Sequence, residues 1–171
     1  MGLSDIAEGL AVTERQRDRG VATVDRTDPT LNAAVSRHAD DVPCDAEAAA
    51  RLVDEYASGA SVGDAAASAG LPAVTGAKTL HLLGFEGLSP LSPLGRDVLR
   101  DWLAADIGRS DAMALADASE AEFALATFLE THDPLPGAAE RVTSALAADG
   151  NAAVAKRDAL ADTMSGVGDL R

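Results

Sequence analysis

The chain has 171 residues, 28 acidic against 14 basic, a formal charge of −14, one cysteine and five aromatic residues. That length holds one domain of ordinary size, or a small domain with an appended helical piece, and it can bury a core without a disulfide or metal staple. The lone Cys44 excludes a disulfide framework and a cysteine-based zinc site, and 47% apolar residues exclude the composition of a disordered chain. Apolar runs such as Ala57 to Val62 are too short and interrupted to cross a bilayer. The start at Met1 lacks a basic-then-apolar leader, so the expectation is a cytoplasmic protein with no membrane partner.

Helix signals dominate in chain order, with Gly, Pro, Asn and Asp breakers between Ala-rich stretches. A first helix is expected near Ser4, and Thr13 with Gln16 has capping-box spacing. Arg15 and Arg19 share a helix face beside Glu14 and Asp18, as a solvated pairing surface or as an arm for phosphates. Asp28-Pro29 opens a helix through about His38, and Pro43 breaks it. Asp45 caps Ala46 to Ser58, Ser61 caps Val62 to Ala69, and Pro72 leads a helix to Leu83, with Gly59, Gly70 and Gly84 as stops. Residues 85–95, with two Pro and two Gly, suit a short wing-like hairpin, after which helix resumes over Val98 to Ile107. Ser110 opens a short helix, Ser119 with Glu122 opens another to His132, and residues 133–137 form a loop. Two helices are expected after it, around 138–148 and 152–164. The fold class is all-α, divided as an N-terminal helical segment over 1–44, a helix-turn-helix domain over 45–108 and an acidic helical region over 109–171, with packing as one domain the alternative.

The composition describes an environment. There are 19 Asp to 9 Glu, 12 Arg to only 2 Lys, and 37 Ala, a pattern that resembles salt-in haloarchaeal cytoplasmic proteins. Short carboxylates in place of Lys keep a surface hydrated and self-repelling in molar salt, where the Debye length is about 3 Å and long-range attraction to phosphate is weak. The charge is −3 over residues 1–44, −3 over 45–100 and −8 over 101–171. An anionic partner therefore belongs on the first hundred residues.

One constellation carries functional information. Gly59, Ala60 and Ser61 open a helix; Ala66 stands four residues before Gly70, Leu71 follows that glycine, and Thr75, Lys78 and Leu80 come five, eight and ten after it. This stretch, 59–83, resembles a helix-turn-helix of the resolvase, sigma-factor or homeodomain-like type. Two short helices meeting across a tight turn need a small side chain at their contact and a glycine in the turn. The resemblance implies a tri-helical unit whose second helix turns Ala73, Thr75, Lys78 and Thr79 toward base edges or phosphates, with His81 able to touch phosphate at its end. Pro72 departs from the family's Ser cap, and Gly76 stands where a branched apolar anchor is usual. No acid occurs over the 21 positions between Asp64 and Glu86, which avoids phosphate repulsion and equally suits a buried helix. Leu91 to Arg96 resembles, more loosely, the approach to the helix after the wing in winged regulators. Residues 110–128 look like a small antitoxin-type helix pair, read as a packing or dimer unit.

Other patterns fall short of chemistry. Gly59-Ala60-Ser61-Val62-Gly63 matches a nucleophile elbow in letters but lacks the strand before it, so Ser61 is expected to cap a helix. Gly70 to Thr79 misses a phosphate loop because Ala77 separates Gly76 from Lys78. His38, His81 and His132 lie far apart, and His38 with Cys44 gives two ligands, too few for a metal. The leading expectation is a non-enzymatic helix-turn-helix regulator that binds DNA without a cofactor, with a homodimer as the arrangement that would multiply half-sites. The alternative is a protein-interaction module or adaptor that keeps the tri-helical shape without touching DNA, its acidic C-terminal helices meeting a partner or a second copy.

Overall fold

A computed structural model describes residues 31–165; the side chains at 152–156 and 158–165 are outside that description, as are the expected helices near Ser4 and Thr13, the Arg15–Arg19 face and the Asp28-Pro29 opening. The described residues form eight helices and no strand, so the molecule is all-α. They are α1 (Leu31–Ser36), α2 (Ala46–Ala57), α3 (Val62–Ser68), α4 (Ala73–Leu82), α5 (Pro93–Leu103), α6 (Arg109–Leu115), α7 (Glu120–Thr131) and α8 (Ala138–Ser165).

Local chemistry sets most of the ends. Asp45 caps α2 by accepting from the Ala48 N–H at 2.8 Å, and Ser61 caps α3 by accepting from the Asp64 N–H at 3.1 Å. At the other ends, α2 through α6 each close with the paired bonds of a Schellman turn, for instance Leu71 N–H to Ala66 O and Gly70 N–H to Ala67 O after α3. Glycine occupies the left-handed position after α2, α3 and α4, while Ala105 (φ 64°) and Asp117 (φ 50°) occupy it after α5 and α6.

Two buried clusters organise these helices. On α2 the stripe Ala49, Leu52, Val53 repeats at helical spacing and packs with Ala34 and Val35 of α1, Ala65 and Ala66 of α3, Leu80 and Leu83 around α4, and Ala138, Val142 and Ala145 of α8. Helices α2, α3 and α4 pack on one another in turn. The second cluster joins Leu91, Leu99 of α5, Ala112 of α6, and Phe123 and Ala126 of α7, with Trp102 against it. The α4–α7 contact connects the two. Leu99, before residue 108, shares the second cluster with Ala112, Phe123 and Ala126 after it, and α8 returns to the first.

Three expectations need correction. The wing-like hairpin is not present: residues 85–92 contain no strand, and Pro93 to Gly95 form the first turn of α5 under a Ser92 cap that accepts from the Gly95 N–H at 3.1 Å. The two prolines that suggested a hairpin remove the donors that a strand needs, whereas Ser-Pro suits a cap followed by a first helical residue. Consequently α5 runs five residues earlier than expected at its start, and α6 begins after Gly108 rather than at Ser110. Finally, α8 is one helix of 28 residues where two were expected. Gly150 costs about 1 kcal/mol against alanine, and the Ala-rich flanks carry the helix through it.

Candidate nucleic-acid interface

The residues expected to meet DNA lie on or beside α4, and the structure divides them. Pro72 holds the N-cap position in extended backbone with no side-chain cap. Ala73 and Val74 are exposed and Thr75 is half-buried, so the first turn of α4 is open on one side. Gly76, Ala77, Thr79, Leu80 and Leu82 are buried. Thr79 is therefore corrected from an outward residue to a core one, its Oγ1 lying 3.5 Å from Cys44 Sγ. It stands one turn after Thr75, and the intervening roll of the helix carries it inward.

Gly76 explains its own departure from the helix-turn-helix pattern. A Cβ there would lie 2.7 Å from the Ala66 Cβ and 3.3 Å from Leu52 Cδ1, so α4 approaches α3 and α2 too closely for a branched anchor. The turn before it bends through Gly70 at φ +71°, a conformation that L side chains adopt only with strain.

Lys78 and His81 face α7. The Lys78 ammonium stands 4.6 Å from the centre of the Phe128 ring, an attraction of about 0.5–2 kcal/mol depending on desolvation. The His81 ring meets Phe128 edge-on at 6.3 Å, and His132 stacks on Phe128 at 4.0 Å. His81 Nε2 is 2.6 Å from the carbonyl oxygen of His132; a carbonyl only accepts, so Nε2 carries the proton and donates. One aromatic side chain of α7 thereby engages both the cation and the histidine that were expected to contact phosphate. Sequence reasoning missed Phe128. Its spacing of four to His132 suits a stacked pair at the helix's C-terminal end, but nothing in the sequence aligns that pair with α4.

Lys78 and His132 also border a cleft of about 350 Å³ with Asp40, Asp41, Leu82 and Phe128. Elsewhere Arg109 makes a two-pronged pair with Glu120 at 2.6 and 2.8 Å, and its hydrogen bonds hold the Glu120 carboxyl below the usual range. The Ser119 hydroxyl and N–H both donate to Glu122, which lowers that carboxyl likewise and completes the capping box of α7. Ser61 is an exposed helix cap whose hydroxyl donates to Asp64 at 2.7 Å. Among the described residues no three His, Cys, Asp or Glu side chains gather as a metal site would require. His38 is buried with Nε2 lacking a hydrogen-bond partner. No described helix is long and apolar enough to cross a membrane.

These features define an all-α molecule whose central helix is partly enclosed by a later one. The chain belongs to DUF7858, a family of unknown function whose model matches residues 1–169. No curated protein and no solved structure matches it.

Proposed function

We propose that this protein is a non-enzymatic protein-interaction module that keeps a helix-turn-helix-like shape without reading DNA, at work in the cytoplasm of a high-salt cell. The observation that carries the reading is the engagement of Lys78 and His81 by Phe128 and His132, which turns the expected reader face of α4 toward α7. Buried helix packing also accounts for the acid-free stretch between Asp64 and Glu86. The partner surface is on the acidic helices. Among the described residues, Leu94 and Leu115 are the most open of the large apolar side chains, at 68% and 63% exposure. They flank the approach of Gly95 to Ala116 where α5 meets α6, among the exposed acids Asp97, Asp111 and Asp117. A partner with an apolar anchor and a cationic rim complements that surface. The abundance of Asp over Lys supports the high-salt setting.

The test is retention of partners by the tagged chain in extract from its own cell, at that cell's salt. A Leu94→Asp, Leu115→Asp double variant should lose a partner that wild type and Lys78→Ala both keep, with all three folded by circular dichroism. A partner profile unchanged in the double variant contradicts the reading.

A DNA-reading function is the second reading, favoured by the open first turn of α4 at Ala73 and Val74 and by the absence of acids from that helix. It requires that selection from randomised duplexes yield a motif. Lys78→Ala should then weaken binding to all duplexes, and Thr75→Ala should relax sequence preference; selection of no motif removes it.

A further inference from the structure

A second cleft, of about 320 Å³, opens on the far side of His81 between α4, the 85–92 loop, α5 and α7. Its size is at the lower end for small-molecule sites. Phe85, Leu88 and Leu129 give it apolar walls, and all three are partly buried. The charged residues of its lining are Arg96, Glu86 and Glu130, the last of which is held by Arg100. Two interhelical ion pairs lie on the helices of the second cluster, Arg100 with Glu130 at 2.6 Å and Arg109 with Glu120 at 2.6 Å. Neither Arg96 nor Glu86 has an ion-pair or hydrogen-bond partner for its side chain among the described residues. Arg96 is half-buried on α5, whereas Glu86 is exposed on the loop.

A free guanidinium and a free carboxylate beside one apolar recess complement a small molecule with an anionic end, a cationic end and an apolar body. We propose that this cleft binds a free α-amino acid with an apolar side chain. Arg96 takes the carboxylate in its planar fork, Glu86 takes the ammonium, and Phe85, Leu88 and Leu129 take the side chain. Such a ligand touches α4, the loop, α5 and α7 together, and so ties the two clusters across the same contact that covers α4.

The experiment is calorimetric titration of the whole chain with L-leucine, with 4-methylpentanoate, which lacks the amine, and with 3-methylbutylamine, which lacks the carboxylate. Leucine should bind, and each analogue should bind roughly tenfold more weakly or worse. Arg96→Gln and Glu86→Gln should each weaken leucine by a similar factor with unchanged circular dichroism. No binding of leucine, or an analogue binding as tightly as leucine, overturns the proposal. The analogue series uses the unaltered chain, so it decides the matter even if a variant fails to fold. Loss of this proposal leaves the partner-retention test of the Leu94 and Leu115 surface untouched.

Discussion

At the scale of single residues, glycine takes the left-handed position after α2, α3 and α4, with Ala105 and Asp117 as the two exceptions after α5 and α6. Ala105 takes the left-handed position after α5 at φ 64°, which costs an L residue about 1–2 kcal/mol. Glycine there forfeits about 0.4–1 kcal/mol through the unfolded chain. Ala105→Gly should therefore raise stability by about 0.5–1 kcal/mol in denaturant titration. Gly76→Ala has the opposite sign. Its gain in helix propensity, about 1 kcal/mol, is opposed by the 2.7 Å approach to the Ala66 Cβ, and overpacking of this kind costs about 1–3 kcal/mol. A net loss is expected, and Ala66→Gly in the same chain should recover part of it. Glycine stops were legible because three of the Schellman turns use glycine. The ends after α5 and α6 were not, because alanine and aspartate occupy a position that only backbone geometry reveals.

At the scale of elements, caps were the most readable feature. Asp45, Ser61 and Ser119 each bond the N–H three residues on, and each was recognisable from residue type and spacing. Ser119 gives a test with a pH signature. Its hydrogen bonds lower the Glu122 carboxyl, so the folded state favours the charged form. That contribution is complete above the ordinary glutamate range and is lost as pH falls through the depressed value. Ser119→Ala should cost about 1 kcal/mol near neutral pH, and its difference from wild type should shrink on acidification. A difference constant with pH would assign the whole effect to the hydroxyl cap and none to Glu122. The wing and the split of α8 were misread because Pro and Gly mark punctuation without specifying its kind: the same Ser-Pro that interrupts a strand begins α5, and Gly150 lies inside a continuous helix. The α4–α7 contact was illegible for another reason. Phe128 and Lys78 are 50 positions apart in the chain, and no local period relates them.

At the scale of the molecule, two clusters meet at that contact. Phe123 is fully buried in the second and stacks obliquely on Trp102 at 5.2 Å. Phe123→Ala should cost about 3–5 kcal/mol, with hydrogen exchange rising first in α5 to α7 while α2 and α3 stay protected. Uniform loss of protection would mean that the clusters unfold as one. The interaction reading depends on α7 remaining over α4 in the cell, since release of α7 would return Lys78 to solvent. The most direct test is chromatin occupancy of the tagged protein in its own cell, wild type beside Lys78→Ala. The account predicts the same flat profile for both. Discrete peaks in wild type that vanish with Lys78→Ala would contradict it and make α4 a reader of sequence.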